Sequence, residues 1–540
     1  MTVDTIPARL QRNAVVMADR PAYLEKSSGA YRPVTWAGYA ETVRRVGKAL
    51  MALGLGPRHP AAILGFNRPE WVTTYLGAMS IGSAAAGIYT TASSEEAGHV
   101  IRHAGAPLVL VEGKPQLDKV LARRTELPDL RWVVTMRGAP PCDDPSVLTW
   151  DQFLERGDGV PDADFAERSA RLAGGDPATL IYTSGTTGIP KGVVLTHHSV
   201  LNNGYIIGEG MRFTEKDRLC IPVPFYHCFG MVLSNLASVT HGSTMVLPGP
   251  TFDAEDGLKT IQNESCTAVH GVPTMFIAEL THPDFSKYNL KSLRTGIMAG
   301  SPCPIEVMRE VNTRMHMSEI VIVYGQTETS PGVTMTTTKD PVERRVTTVG
   351  RAFPHTELKI IDPQTGKIVP HGEIGEICAR GYCVMKCYYN NPSATHATLD
   401  SNHWNHTGDL GTMDEEGYFK IVGRLKDMVI RGGENIYPRE IEEFLFTHPK
   451  VRNVQVIGVP DEKYGEEVQA WIELREGETA TQDEIREFCK GKIAHYKIPR
   501  YVKFVTEYPM TVTGKIQKFK MREAAIKELG LEKAAQVKMA

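Results

Sequence analysis

The segment Thr183–Gly192, TSGTTGIPKG, is the stretch that decides the class of fold. It combines hydroxyl side chains with three glycines and ends beside Lys191, so its backbone N–H groups can surround an anion. Apolar TLIY precedes it and VVLTH follows it, which predicts strand, loop, strand. A Walker loop instead opens a helix and reads GxxxxGK followed by Ser or Thr. The segment therefore predicts a different phosphate-binding loop, and a flexible hairpin is the alternative.

On both sides of this loop, short apolar runs alternate with helical patterns. Upstream are AAILGF, a helix after Pro69, AAAGIY, a helix from Ser94 and PLVLV; downstream are STMVL, TAVHG, RTGIMAG and EIVIVYG. This rhythm predicts βαβ units, hence an α/β fold whose large N-terminal domain has two α/β layers. Alternating short strands predict a small β-rich subdomain between about Val349 and Phe419, and a smaller, compact α+β segment follows Arg424.

Composition and cysteine spacing argue against nucleic acid as a partner and against a cysteine metal site. The 540 residues include 60 basic and 63 acidic side chains, and a net charge of −3 does not favour nucleic acid. Nine cysteines show no paired framework, which predicts reduced thiols. Cys378, Cys383 and Cys387 are close in sequence but lack CxxC spacing and a neighbouring histidine, so they predict no metal site.

Neither a signal peptide nor a membrane span is predicted. MTVDTIPARLQRNAVV contains no long apolar stretch, and Trp71–Tyr89 is interrupted by polar residues and glycine, as in a buried helix that leads into a strand. We therefore predict a cytoplasmic protein, with the mitochondrial matrix as the alternative for a eukaryotic source. Peripheral contact with a membrane, and either a monomer or a homodimer, are compatible with the sequence.

Two further motifs carry acids. YGQTE, Tyr324–Glu328, ends the apolar run EIVIVYG, where ligands of open α/β sheets collect, and Glu328 is suited to hold Mg²⁺. A capped helix start is the alternative. In HTGDLG, Asp409 can accept hydrogen bonds from ribose hydroxyls, and a tight turn is the alternative.

The last two motifs lie in the C-terminal third. The first is GRLKDMVIRGGENIYPREIE, in which Arg424, Lys426 and Asp427 come where the β-rich subdomain ends. Two glycines and a helix that starts at Pro438 follow, which is typical of an interdomain linker. In TVTGKIQK, Lys515 follows a glycine in a predicted turn. Lys490–Arg522 contains nine lysines and arginines and the single acid Glu507, a local excess that is compatible with an anion-facing surface. A solvated basic face is the alternative, and it is favoured for Lys492, Lys518 and Lys520.

In this order, the five segments resemble the adenylate-forming superfamily of acyl-CoA synthetases, luciferases and nonribosomal adenylation domains. The resemblance implies an adenylation domain at 1–422, a hinge at 423–427 around Lys426 and a smaller mobile α+β domain with the catalytic lysine at 428–540. It implies Lys515, Glu328 and His227 as catalytic residues, with Glu328 holding Mg²⁺. It assigns contacts with ATP or AMP to Thr183, Ser184, Gly185, Thr186, Thr187, Gly188, Lys191, Gly300, Ser301, Tyr324, Gly325, Gln326, Thr327, Asp409 and Arg424.

The resemblance also concerns the substrate. In FYHCFGM, His227 matches the wall of the acyl pocket, and no acid follows it to hold an amino group. Met231, Val272 and Ala299 are the implied acyl-pocket residues, and CoA contacts are assigned to Arg431, Gly432 and Gly433. The chain is most similar to the family member 2, or medium-chain, acyl-CoA synthetases through IMAGSP, RGYCVM and IRGGENIYP, whereas ILGFNRPEW and GIYTT resemble bubblegum-type long-chain synthetases.

The implied activity is an ATP-dependent fatty-acid:CoA ligase for medium- or long-chain acids, with ATP, Mg²⁺ and CoA. It would proceed through an acyl-adenylate and release AMP and pyrophosphate. One alternative is an adenylase whose acceptor is a carrier-protein phosphopantetheine or an amine. Another is a nucleotide-binding protein without turnover, against which stand Lys191, Glu328, Asp409, Arg424 and Lys515.

Overall fold

The computed structural model describes residues 4–27, 29–183, 190–301, 303–510 and 516–536. Contacts between residues divide the chain into a large unit, Met1–Leu358 with Ala379–Asn405, and a small unit, Lys359–Cys378 with His406–Ala540. The small unit thus includes residues 406–422, which the sequence assigns to the large domain. This division shows which residues pack together and does not test whether the C-terminal domain rotates. The hinge at 423–427 therefore stays a prediction.

The first sheet of the large unit has nine strands. In spatial order they are β16 (Arg351–Ala352), β15 (Gly332–Met335), β14 (Glu319–Gly325), β13 (Thr295–Met298), β12 (Ala268–Gly271), β10 (Arg218–Cys220), β11 (Thr244–Val246), β1 (Pro21–Ser27) and β2 (Ala30–Thr35). The strands from β14 to β1 pair in parallel, whereas the outer strands β15, β16 and β2 pair antiparallel.

The second sheet has eight strands. In spatial order they are β19 (Cys387–Tyr388), β9 (Lys191–Thr196), β8 (Pro177–Thr183), β4 (Ala85–Ile88), β3 (Ala61–Leu64), β5 (Leu108–Val111), β6 (Trp132–Thr135) and β7 (Val147–Thr149). The strands β3 and β5 are AAIL and LVLV and are buried throughout, as expected for parallel strands covered on both faces.

Helices follow the strands in the predicted alternation. Those of the large unit are α1 (Ile6–Val16), α2 (Trp36–Ala52), α3 (Pro69–Ser80), α4 (Ser94–Ala104), α5 (Lys114–Leu121), α6 (Trp150–Glu155), α7 (Asp162–Ala170), α8 (His197–Gly210), α9 (Ala237–His241), α10 (Ala254–Asn263), α11 (Pro273–Leu280), α12 (Ile305–Arg314), α13 (Val342–Thr347) and α14 (Pro392–Thr398). A π-helix spans Phe229–Leu236. Local chemistry sets their ends: α4 starts at a reciprocal Ser93–Glu96 capping box and ends at Gly105, whose φ is 62°.

The small unit is α+β. One four-stranded sheet has the order β17 (Thr356–Ile361), β18 (Gly375–Gly381), β20 (Asn405–Met413) and β21 (Phe419–Arg424). Another has the order β23 (Glu434–Ile436), β22 (Val429–Arg431), β25 (Gly465–Leu474) and β24 (Val451–Asp461), and β26 (Tyr501–Phe504) also pairs with β25. Its helices are α15 (Pro438–Phe446), α16 (Gln482–Cys489), α17 (Lys518–Glu528) and α18 (Glu532–Gln536).

The predicted α/β fold class is confirmed, with one difference in the predicted β-rich segment. Cys387–Tyr388 does not join the small four-stranded sheet but pairs with β9 in the eight-stranded sheet. The backbone fixes this placement, because the N–H groups of Lys386 and Tyr389 donate to Val194 and Gly192 at 2.9 and 2.7 Å. Across the described residues, every helix is too short or too polar to cross a bilayer.

Candidate active site

Three parallel strands of the nine-stranded sheet end at the same edge. Gly271 of β12 pairs with Met298 of β13, which in turn pairs with Ile322 of β14. The residues that follow β12 and β13, Val272 and the segment Ala299–Ser301, therefore collect at the carboxyl edge, where open α/β sheets bind ligands. The fold brings together these two predicted pocket segments.

Two glycines at this edge have structural reasons, close backbone approach at Gly325 and a left-handed backbone at Gly300. A Cβ on Gly325 would lie 1.8 Å from the carbonyl oxygen of Pro331, and a Cβ on Gly300 would lie 3.1 Å from Val272 Cγ1. Gly300 also has a φ of 90°, which disfavours other residues. Packing explains Gly325 and backbone conformation explains Gly300 without a ligand, so their predicted nucleotide contacts stay predictions.

Glu328 lies in a short 3-10 turn, Thr327–Thr329, directly after β14 and Gln326. Its carbonyl oxygen accepts a hydrogen bond from Met385 N–H at 2.7 Å. Its carboxylate Oε1 accepts one from the Tyr388 hydroxyl at 2.6 Å. Hydrogen bonds therefore fix both the backbone and the side chain of Glu328. A carboxylate oriented in this way is a suitable ligand for Mg²⁺.

The predicted phosphate loop connects β8 to β9. These strands are antiparallel, with Thr183 paired to Lys191, as the strand, loop, strand prediction requires. Lys191 Nζ lies 5.2 Å from the centroid of the Tyr388 ring. Five predicted loop residues lie outside the described residues, and their roles stay predictions: Ser184, Gly185, Thr186, Thr187 and Gly188.

Tyr388 is the site residue that the sequence analysis missed. It is 6% exposed, lies on β19 opposite Val193, and contacts both Lys191 and Glu328. Burial, and then the Glu328 carboxylate, raise the pKa of Tyr388, so the hydroxyl stays protonated and donates. In the sequence, Tyr388 is recognisable only as a tyrosine that follows a short apolar run. That pattern does not identify Lys191 or Glu328 as the residues it contacts.

The segment predicted to form a wall of the acyl pocket, Phe225–Met231, follows β10. Phe225 N–H donates to Asn67 Oδ1 at 2.9 Å, which fixes the start of the turn. The N–H of Phe229 donates to His227 Nδ1 at 3.1 Å, where the π-helix begins. Cys228 Sγ lies 3.7 Å from Thr327 Oγ1. The His227 segment therefore lies against the YGQTE motif.

The three predicted acyl-pocket residues, Met231, Val272 and Ala299, belong to one continuous apolar cluster. Met231 lies in the π-helix and is 1% exposed. Ser234 of the same helix is 2.9 Å from His270 Nδ1 on β12, which ties the helix to the strand that precedes Val272. Burial lowers the pKa of His270 to about 3, so this histidine is neutral.

The small unit contains the predicted ribose residues. Asp409 of β20 pairs with Arg424 of β21, and Arg424 Nε donates to Asp409 Oδ1 at 2.9 Å. Asp409 is buried in a strand, so the alternative of a tight turn is wrong. Lys426 lies in the 3-10 turn Leu425–Asp427 between β21 and β22, and Lys515 lies outside the described residues.

The predicted CoA residues form a hairpin between β22 and β23. Gly432 and Gly433 have φ angles of 59° and 89°, as a two-residue turn with left-handed backbone requires. Arg431 makes two hydrogen bonds of 2.8 Å to Glu467 and stacks 4.2 Å over the Tyr464 ring. The turn explains the glycines without a ligand, so the CoA contacts stay predictions.

Comparison with known proteins assigns this arrangement to a class. Residues 10–389 match the family described as AMP-binding enzyme, and residues 440–515 match its C-terminal domain. A solved structure of the anthranilate CoA ligase AuaEII in complex with anthranoyl-AMP superposes with a TM-score of 0.89 at 29% identity over 98% of both chains. A fatty acyl CoA synthetase from Mycobacterium tuberculosis gives a TM-score of 0.73 at 31% identity over 97% of this chain and 99% of that one.

Relatives of higher sequence identity are acyl-CoA synthetases and ligases. The putative acyl-CoA synthetase YngI of Bacillus subtilis is 46% identical over 98% of this chain and 96% of its own length. The mitochondrial medium-chain acyl-CoA ligase ACSF2 of Danio rerio is 40% identical over 98% of this chain and 89% of its own length. The chain belongs to the AMP-binding enzyme family. It is an AMP-forming acid–CoA ligase that uses ATP, CoA and Mg²⁺.

Proposed function

We propose that this ligase activates a medium- or long-chain fatty acid as an acyl-adenylate and transfers the acyl group to CoA. The observation that carries the proposal is that the apolar residues Val272 and Ala299 follow strands at the carboxyl edge of the nine-stranded sheet and share one buried apolar core with Met231. The residues Cys228–Met231 contribute no acid to it, which disfavours an amino-acid substrate. The names of the medium-chain relatives support the same class of acid.

The first half-reaction must overcome repulsion between the acid carboxylate and ATP. Bound Mg²⁺ supplies charge neutralisation of the phosphates, and Glu328, oriented by Tyr388, is the proposed protein ligand. Lys191 and the loop after Thr183 are proposed to contact the β- and γ-phosphates. Lys515 is proposed to bridge the carboxylate and the α-phosphate, where opposing negative charges meet.

The second half-reaction forms the thioester. The CoA thiol attacks the acyl carbonyl carbon and a carbon–sulfur bond forms. The bond between that carbon and the AMP phosphate oxygen breaks, AMP leaves, and the thiol proton passes to solvent. Asp409 with Arg424 is the proposed ribose site, and the hairpin at Arg431–Gly433 is the proposed CoA contact. We also propose a cytoplasmic location, with a mitochondrial one for a eukaryotic source.

A panel of acids tests the substrate class. Purified protein is assayed with the even-numbered acids from acetate to palmitate, with benzoates and with amino acids, and acyl-CoA is quantified. We expect the highest kcat/KM for an acid of medium or long chain. The Glu328→Gln variant serves as the matched blank, because it keeps the side-chain shape and removes the charge. A benzoate or amino acid as the best substrate would refute the proposal.

A further inference from the structure

A second cluster of metal-ligating side chains lies in the small unit, on the first four-stranded sheet. Among the described residues, Glu376, Cys378 and His406 place one ligand atom each within 4.8 Å of one another. Glu376 and Cys378 are two residues apart on β18, so they share a face, and His406 lies on the neighbouring strand β20. The histidine that is absent from the local sequence is supplied by strand pairing.

The separations between these atoms suit a tetrahedral ion. His406 Nδ1 is 3.0 Å from Glu376 Oε2 and 3.6 Å from Cys378 Sγ. Around Zn²⁺, bonds of about 2.0–2.3 Å at the tetrahedral angle separate neighbouring ligand atoms by about 3.3–3.8 Å. The third pair, Glu376 and Cys378, lies within 4.8 Å, so side-chain shifts of up to about 1 Å would form the three bonds.

The surrounding contacts already orient one of the three ligands, Glu376, and hold the two strands together. Glu376 Oε1 accepts a hydrogen bond from Gly408 N–H at 3.0 Å, which turns Oε2 towards the histidine. The Thr407 hydroxyl donates to the carbonyl oxygen of Ile377 at 2.6 Å and holds the two strands in register beside the cluster. Such outer contacts are typical of built metal sites.

We propose that Glu376, Cys378 and His406 form a site for a divalent transition metal of the Zn²⁺ class. A thiol, an imidazole and a carboxylate select Zn²⁺ or Co²⁺ over Mg²⁺, because the thiolate is a soft ligand. Binding replaces the protons of the thiol and of any protonated imidazole, which leave to solvent. Three protein ligands leave a fourth position for water. The site is distinct from the proposed Mg²⁺ ligand Glu328.

Titration of the full-length protein with Co²⁺ tests the site, because a thiolate bound to Co²⁺ gives a charge-transfer band in the near ultraviolet. We expect one equivalent of Co²⁺ to produce the band in excess Mg²⁺, and Zn²⁺ to abolish it. The Cys378→Ala variant should lose the band. The matched Cys489→Ala variant, which removes another buried thiol of the small unit, should keep it.

His406→Gln gives an independent variant, because this side chain is partly exposed and its replacement leaves the apolar core intact. It should also lose the band, and Zn²⁺ should raise the melting temperature of the wild type but not of either variant. The proposal is overturned if the wild type shows no band, or if folded Cys378→Ala retains it.

Discussion

At the scale of single residues, one tyrosine ring contacts two groups of opposite charge. Tyr388 donates its hydroxyl to Glu328 at 2.6 Å, while Lys191 Nζ lies 5.2 Å from the ring centroid. The aromatic face attracts the cation and the hydroxyl orients the carboxylate. Tyr388 therefore acts as a positioning residue for both charged groups.

Removing the hydroxyl in Tyr388→Phe should leave the Glu328 carboxylate without its donor while keeping the ring under Lys191. Loss of such an outer contact typically costs about 10- to 100-fold in metal affinity or activity. We expect the Mg²⁺ concentration for half-maximal adenylation to rise within that range, measured by pyrophosphate exchange. Tyr389→Phe is the matched control, because it removes the adjacent hydroxyl. Equal Mg²⁺ dependence in the two variants would contradict the assignment.

At the scale of elements, the π-helix at Phe229–Leu236 shapes the proposed acyl pocket. Its Ser234 is hydrogen-bonded to His270 of β12, so the helix cannot turn without breaking that contact. π-Helical turns are rare and frequently occur at functional sites. The side chain of Met231 therefore has a defined place in the apolar cluster, and its volume should set the depth available to an alkyl chain.

Met231→Trp tests this depth, because the larger ring needs more space within the apolar core that also contains Val272 and Ala299. A change of one methylene in an apolar pocket alters specificity about 10- to 200-fold, so we expect the octanoate-to-butyrate ratio of kcat/KM to fall by at least about tenfold. Met231→Leu, of similar volume, should leave the ratio unchanged. If Met231 only packs the core, the Trp variant loses about 1–3 kcal/mol of stability and kcat/KM falls by the same factor for all acids.

At the scale of the whole molecule, the two half-reactions are predicted to depend on different residues. Glu328, Lys191 and Tyr388 belong to the large unit and the Gly432–Gly433 hairpin to the small unit, whereas Lys515, assigned to adenylation, follows that hairpin in sequence. We therefore expect variants that block one step and spare the other. Lys515 and Gly433 are the residues that test this division.

Lys515→Ala should reduce acyl-AMP formation from ATP by roughly 10²–10³-fold, because a cation between two anions is lost, yet convert supplied acyl-AMP and CoA normally. Gly433→Leu should do the reverse and accumulate acyl-AMP. Each half-reaction is measured separately, with a melting curve for each variant. Equal losses in both steps for either folded variant would refute the division.

Two controls separate these effects from folding. Lys520→Ala removes an exposed lysine five residues beyond Lys515 and should change neither step. Gly433→Ala imposes the left-handed φ of 89° on a residue with a Cβ, at about 1–2 kcal/mol, without a bulky side chain. Thioester formation should therefore fall in Gly433→Leu and be largely kept in Gly433→Ala.

The elements themselves were largely determined by the sequence. The helices after Pro69 and from Ser94, the strand ending at Gly325 and the helix from Pro438 lie where predicted. Caps and apolar periodicity depend on residues within one or two turns of each other, so consecutive sequence suffices to read them. The α/β class follows from their alternation.

Only the tertiary structure decided which distant residues meet. Tyr388 and Glu328 are 60 positions apart, and Cys378 and His406 are 28 apart. Their contacts arise because Cys387–Tyr388 pairs with β9, and because β18 lies beside β20. Local propensity does not choose among strand partners; that choice depends on burying both faces of each sheet across the whole chain.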